Sequence, residues 1–288
     1  MAKDIHWYPG HMAKARREIE GRVKLVDLII ELRDARAPAS SSNPIIQEIE
    51  KQKPHLVILT KKDLADPQVT EAWIKHFEKQ GTAAMSLDLT RFNAYQQIVQ
   101  RSKSLLKDKM EREKQRGLKP RPVRALVVGI PNVGNSTLIN RLAKRRATLT
   151  GDRPGVTKAQ QIIKISNDFE LFDTPGILWP RFDDPQVAMH IALVGSIKNT
   201  ILPLDEIFIY ALKYLCEWYP EALVARYGFK PDIASENWVE QFCQEISRRK
   251  NFRLVRQEID YDRIYDLFFN DLIKGNLGAI SWERPDDA

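Results

Sequence analysis

Cysteine is scarce in this chain. Cys216 and Cys243 are the only two in 288 residues, and without C-x-x-C spacing they argue against a disulfide framework or a thiolate metal site. Long apolar runs are missing as well; none approaches the roughly 20 residues that cross a bilayer. The opening Met1-Ala2-Lys3-Asp4 lacks the charged-then-apolar layout of a secretory leader, and no segment repeats. These absences lead to the expectation of a cytoplasmic protein with no membrane association. What is present is ordinary for a globular chain: 43% hydrophobic and 29% charged residues. The length suits one larger domain and a smaller second one. The net charge of +7 favours polyanionic partners, although such a surplus is often only a solvated surface.

Taken in order, residues 1–22 form a basic segment in which Pro9-Gly10 marks a turn before a helix carrying Lys14, Arg16 and Arg17. Leu25 to Leu32 reads as an apolar strand, ending in Asp34-Ala35-Arg36. His55 to Leu59 is a second strand and runs into Thr60-Lys61-Lys62-Asp63. A helix over about 68–79 and a strand over Ala83 to Leu87 follow, then a long basic helix over 93–117. Val123 to Val128 is another buried strand. Ile162 to Ile165 and Glu170 to Phe172 pair through an Asn-Asp turn. Strands alternating with helices predict an α/β domain with a mostly parallel sheet. Beyond about Pro185 strand signals stop, and 186–196, 203–219, 236–250 and 258–274 read as helices broken at Pro203, Pro220 and Pro231. The expected division is therefore 1–182 and a small all-helical domain over 183–288.

Four pieces carry chemistry. The first is Gly129-Ile130-Pro131-Asn132-Val133-Gly134-Asn135-Ser136-Thr137, between a strand and a helix. It follows the phosphate-loop pattern G-x-x-x-x-G-K-[ST], in which backbone N–H groups and a helix N-terminus surround phosphate oxygens. Position 135 should be Lys and is Asn. The second is Asp173-Thr174-Pro175-Gly176, where the carboxylate can hold Mg²⁺ and the glycine N–H can meet a γ-phosphate. Thr157, in a glycine-flanked loop, is a hydroxyl that can ligate Mg²⁺. The fourth is Thr60 to Asp63: a carboxylate there can accept both guanine N–H groups in a fork, and Lys61 can lie along base and ribose. Each piece alone is a common loop or turn. Four of them, each after a predicted strand, point to one guanine-nucleotide site.

In an ordinary GTPase the base-reading piece comes last, whereas here it precedes the phosphate loop. With the opening Trp7-Tyr8-Pro9-Gly10-His11, Asp34-Ala35-Arg36 and Asp173-Thr174-Pro175-Gly176, the chain resembles the circularly permuted GTPases that act in bacterial ribosome assembly. That resemblance implies a P-loop GTPase sheet in permuted order and a helical rRNA-binding C-terminal domain. It implies GTP or GDP as ligand, the precursor of the large ribosomal subunit and its rRNA as partners, and a monomer acting late in maturation. The implied nucleotide contacts are Thr60, Lys61, Asp63, Ser86, Asn132, Val133, Gly134, Asn135, Ser136, Thr137, Thr157 and Gly176. Ser136, Thr157 and Asp173 would hold Mg²⁺, and Asn132 K⁺. Ile177 stands where many GTPases place a water-orienting Gln, so His11 is the implied catalytic group. From residues alone, His11 is a solvated histidine and Asn132 a loop-shaping residue.

The missing lysine leaves two readings open. One is a working GTPase weakened by a single change; Asp63, Thr157 and Asp173 remain in place, which favours it. The other is a catalytically silent rRNA-binding module. Further candidate RNA contacts are Lys144, Arg145 and Arg146, and Arg248, Arg249, Lys250, Arg253 and Arg256. The aromatic residues of the C-terminal part are expected to pack between helices.

Overall fold

A computed structural model of the chain describes residues 19–42, 53–89, 91, 93–140, 162–172, 184–197, 203–254 and 258–287. Its contacts divide the chain into two compact units, Met1–Asp183 with Glu283–Ala288, and Asp184–Trp282.

The first unit is built on a six-stranded sheet in the order β3-β2-β1-β4-β6-β5. Its strands are β1 (Leu28–Asp34), β2 (His55–Thr60), β3 (Ala83–Ser86), β4 (Val123–Gly129), β5 (Ile162–Ser166) and β6 (Phe169–Phe172). All neighbours pair in parallel except β5, which runs antiparallel to β6 across the short turn. The central strand β1 is buried along all seven residues, as expected where both faces of a parallel sheet are covered. It begins at Leu28 rather than Leu25, because Asp27 is drawn into ion pairs with Lys109 and Arg121 and Leu25 is left exposed. On one face, Ile19, Val23 and Val26 pack on Ile29, Leu126 and Val128. On the other, Trp73 and Phe77 pack on Val57, Leu59 and Ala84.

These two aromatics come from a helix over Pro67–Lys79 whose start is written in sequence. Pro67 stands in its first turn, and the Asp66 carboxylate accepts the N–H groups of Gln68 and Val69. The long basic helix expected over 93–117 is instead two helices, Ala94–Leu105 and Lys107–Gln115. Ser102 Oγ donates to Ile98 O at 2.7 Å, a back-bond that bends helices, and Leu106 at the break is 1% exposed.

The second unit holds helices at Pro185–Leu193, Leu204–Trp218, Pro220–Tyr227, Trp238–Lys250 and Tyr261–Lys274. Pro220 starts a helix rather than merely interrupting one, because proline's fixed φ suits the first helical position. Phe208, Phe242 and Phe268 are buried and meet ring to ring, so most of the aromatic set is packing. Trp218 and Tyr261 are exceptions, at 49% and 42% exposed. Cys216 and Cys243 are both buried free thiols, and burial pushes them up to about 11 and about 12.

The last residues do not stay with the helices, where the 183–288 division puts them. The Glu283 carboxylate accepts the N–H groups of Ala39 and Ser40 at 2.7 and 2.9 Å. Its carbonyl accepts Trp73 Nε1–H at 3.1 Å. A carboxylate satisfying two adjacent backbone donors is a strong, charge-assisted anchor, and it returns 283–287 to the first unit. Among the described residues, no helix is long and apolar enough to cross a membrane.

Candidate nucleotide-binding site

The site follows from register. Asp34 lies opposite Thr60, and Leu32 opposite Gly129. The C-terminal ends of β1, β2 and β4 therefore stop side by side, and the loops leaving them converge at the edge where open parallel sheets bind ligands. Although 66 residues of sequence separate Asp63 from Gly129, the strands that deliver them are separated only by β1.

Thr60, 1% exposed, stitches the base-side segment to the phosphate loop. Its hydroxyl lies 2.6 Å from Val133 O and 3.1 Å from Arg33 O; with one hydrogen to give, the shorter contact takes it. Three residues turn through positive φ around the same place: Lys61 (54°), Asn132 (62°) and Gly134 (113°). Asn tolerates this region better than most side chains, which agrees with a loop-shaping part for Asn132. Gly129 is required by crowding, since a Cβ there would stand 2.8 Å from Leu32 O and from Val133 Cγ2.

Between these segments is a cavity of about 470 Å³. Thr60, Lys61 and Asp63 line one side, and 131–137 the other. The structure thus brings Thr60, Lys61, Asp63, Asn132, Val133, Gly134, Asn135, Ser136 and Thr137 to one place. Ser86, at the end of β3, is not in the lining; Asp88 and Leu89 take that wall. Leu89 fits against the loop glycine, where a Cβ on Gly134 would come within 2.9 Å of its Cδ1. These two residues were missed. The signal was available, because the loop just past a parallel strand's C-terminal end is where such sites gather contacts. His11, Thr157, Asp173 and Gly176 lie outside the described residues, as do Lys14, Arg16, Arg17, Lys144, Arg145, Arg146 and Arg256.

Lys61 is already engaged. Its Nζ lies 2.9 Å from Asp34 Oδ2. Asp34 is fully buried and also accepts from the Arg36 backbone N–H, Nε and Nη2 at 3.0, 3.0 and 2.9 Å. Burial opposes its charge, but Arg36 and Lys61 outweigh it and hold the carboxyl down at about 2. Three residues earlier in β1, and so on the opposite face of the sheet, Glu31 is held at about 2 against its burial by Arg33 and His55. Arg33 donates to it through Nε and Nη2 at 2.9 and 2.6 Å.

Both carboxyls have folded-state values below their unfolded ones of 3.8 and 4.5. Their stabilisation is therefore present above those unfolded values and lost as pH falls from about 4.5 towards 2. Denaturant unfolding measured across that interval is expected to show stability falling steeply. In Glu31→Gln the fall is shallower, because one of the two titrating groups is gone.

Asn135 is 8% exposed and folds back on its own loop. Its Nδ2 lies 3.3 Å from Gly129 O and 3.4 Å from Ile130 O, while the buried Oδ1 has no hydrogen-bond partner. The amide thus turns both donors on loop carbonyls. Among the described lining residues, Lys61 is the sole cation, alongside Asp63 and Asp88. The donors left for an anion are backbone N–H groups and the exposed hydroxyls of Ser136 and Thr137 at the start of the helix over 135–140. A glycine-lined loop opening into a helix, with Ser136 beside it, suits a nucleotide phosphate and its Mg²⁺; position 135 lacks the charge such a site ordinarily has.

The profile of the family described as "50S ribosome-binding GTPase" matches residues 124–212, a span that opens in β4 and contains the phosphate loop. A relative from Bacillus licheniformis, "Ribosome biogenesis GTPase A", is 46% identical over 283 residues, covering 98% of this chain and 99% of its own. A Thermotoga maritima protein of the same name is 31% identical, covering 98% of this chain and 95% of its own. The structure of GNP-bound YlqF from T. maritima aligns with a TM-score of 0.65 at 28% identity, over 96% of this chain and 100% of that one. With that similarity running nearly end to end, and a phosphate loop and base-side segment meeting at one cavity, the chain belongs to the ribosome biogenesis GTPase A family.

Proposed function

We propose that the chain is a GTP-binding assembly factor that acts late in maturation of the large ribosomal subunit, coupling GTP hydrolysis to binding and release of rRNA. The observation that supports this best is the meeting of Asp63 and the 131–137 loop across one cavity, stitched by Thr60 to Val133. Circular permutation accounts for that meeting, since the base-side strands come first in sequence and still flank the phosphate-loop strand in space. In this reading Asp63 takes the guanine edge and the backbone of 133–137 cradles the phosphates. Ser136, with Thr157 and Asp173, holds Mg²⁺, which neutralises charge on the β- and γ-phosphates. Asn132 holds K⁺, Gly176 meets the γ-phosphate, and His11 orients the attacking water. The helical unit supplies rRNA contacts, and the protein acts as a cytoplasmic monomer.

Asp63→Asn tests the base-reading role. An amide cannot accept both guanine N–H groups, but it can donate to the 2-oxo group of xanthine. GTP affinity is expected to fall ten- to hundredfold, on the scale of about 1.5–3 kcal/mol for a charged hydrogen bond, and XTP affinity to rise. Titration with fluorescent GTP and XTP analogues checks both; unchanged GTP binding would remove Asp63 from the site.

A second reading is favoured by Asn135. Its amide is spent on Gly129 O and Ile130 O, so position 135 brings no cation to meet the β- and γ-phosphates. On that reading the protein holds rRNA with little nucleotide turnover. A GTPase assay with added large subunits separates the two: stimulated turnover supports the enzyme, and binding without turnover the silent module.

A further inference from the structure

Charge in this chain is concentrated far from the nucleotide cavity. Between residues 103 and 124 stand nine Lys or Arg and three Asp or Glu, a surplus of six against +7 for the whole sequence. The helix over Lys107–Gln115 within that stretch has no buried residue, so core packing does not explain its sequence. Some of the charge is used internally. Lys109 and Arg121 pair with Asp27, Arg124 with Glu170 and Lys103 with Asp168. Lys107 stands near Glu111 along the helix. Arg112, Lys114, Arg116 and Lys119 are exposed, and none of the four meets a carboxylate among the described residues.

Two of the four, Lys114 and Lys119, line a preformed groove, and Arg112 and Arg116 belong to the same stretch of chain. The groove has a volume of about 530 Å³ and lies between the 107–115 helix and the strap 118–122, at the N-terminal end of β4. Its apolar lining includes Leu106, Met110, Leu118 and Val123, with Met110 and Leu118 41% and 57% exposed. The strap is held extended by Pro120 and Pro122. Asp27 clasps both walls: Oδ1 accepts Lys109 Nζ from the helix at 2.6 Å and Arg121 Nη2 from the strap at 2.7 Å. Its other oxygen accepts the Arg124 N–H at 3.0 Å. The two walls are thus tied together before anything binds, and Lys114 and Lys119 remain in the lining with no carboxylate partner among the described residues.

We infer that this groove is an RNA-binding surface. Arg112, Lys114, Arg116 and Lys119 would take backbone phosphates, and the apolar lining the face of an unpaired nucleotide. The choice of RNA over a protein rests on charge complementarity: unpaired cations beside an apolar slot suit a flexible polyanion, and the groove's own Glu111 and Glu113 are neighbours of Lys107 and Lys109. This inference rests on the proposed rRNA reading and adds a surface to it that the basic clusters noted in sequence do not include.

The test is the full-length triple variant Lys114→Gln, Arg116→Gln, Lys119→Gln, which leaves the Asp27 clasp intact. Binding to large ribosomal subunits and to protein-free large-subunit rRNA is measured from low to moderate salt. The unmodified chain is expected to bind both with a steep salt dependence. The variant is expected to bind both at least tenfold more weakly, with the slope of log K against log salt reduced by about 2, since each lost phosphate contact removes roughly 0.7–0.9. GDP affinity and melting temperature should not move. Identical binding by variant and parent overturns this surface alone. Weaker binding to subunits with unchanged binding to free rRNA makes the groove a protein-docking site and overturns the RNA assignment. If the parent itself binds neither, the rRNA reading falls and this inference with it.

Discussion

Asn135→Lys is expected to tighten GTP binding by roughly a hundredfold or more and to raise turnover at least as much. The side chain now at 135 ends in an amide whose donors lie 3.3 and 3.4 Å from two loop carbonyls and whose buried oxygen has no partner. Both contacts are long for N–H···O bonds, and an orphaned buried acceptor costs about 1–3 kcal/mol. Asn135 therefore stabilises its own loop poorly while supplying no charge to a phosphate. A lysine at this position could carry its ammonium past those carbonyls towards the β- and γ-phosphates. Removing one partner of such a close pair costs on the order of 3–5 kcal/mol, and each 1.4 kcal/mol is about tenfold in affinity. GDP, with less charge at that point, should gain less than GTP. Without nucleotide, the new ammonium joins Lys61 in a cavity whose acids are Asp63 and Asp88, so the variant should gain more thermal stability than the parent on adding GDP and Mg²⁺. Equilibrium titration, single-turnover hydrolysis and melting curves with and without nucleotide measure these effects. No gain in affinity or turnover would leave the silent-module reading standing.

Asp34→Asn should be the most destabilising conservative change in the first unit. The carboxylate is fully buried and neutralises both Arg36 and Lys61. The amide keeps its shape but turns an NH₂ group towards two cations and removes the buried negative charge that both of them face. The expected loss is about 3–5 kcal/mol, read as a lowered denaturant midpoint. Nucleotide affinity should weaken too, because Lys61 lines the cavity from a strained backbone that its bond to Asp34 helps to hold. Asp34→Leu combined with Arg36→Met should lose clearly less than the sum of the single changes, since it removes the stranded charge along with its partner. Additive losses would show that the pair is not a unit.

The site's parts were readable for a physical reason. Loops at strand ends with a few glycines and a side chain at fixed spacing are local devices, so Gly129–Thr137 and Thr60–Asp63, which line one cavity, stand out in sequence without tertiary information. Ser86 is absent from the cavity lining that includes Asp88 and Leu89, and nothing local in sequence says how far past β3 that wall extends; it depends on where Gly134 presses against Leu89. The buried charges of β1 were opaque for a similar reason. In sequence Glu31, Arg33 and Asp34 look like the wet end of a strand, and only their partners Arg36, His55 and Lys61 make burial tolerable. The break at Leu106 is hidden too, since the residues on either side are good helix formers and Leu106 is placed by its burial.

The return of Glu283 to Ala39, Ser40 and Trp73 constrains how this gene can be cut. A stop codon placed after Asp183 to isolate the sheet-bearing half would also delete the clasp on the turn that follows Asp34, so a sluggish fragment would say little about what the helices contribute. A fair dissection keeps that tail, splicing 283–288 back through a short flexible bridge in place of the excised helices.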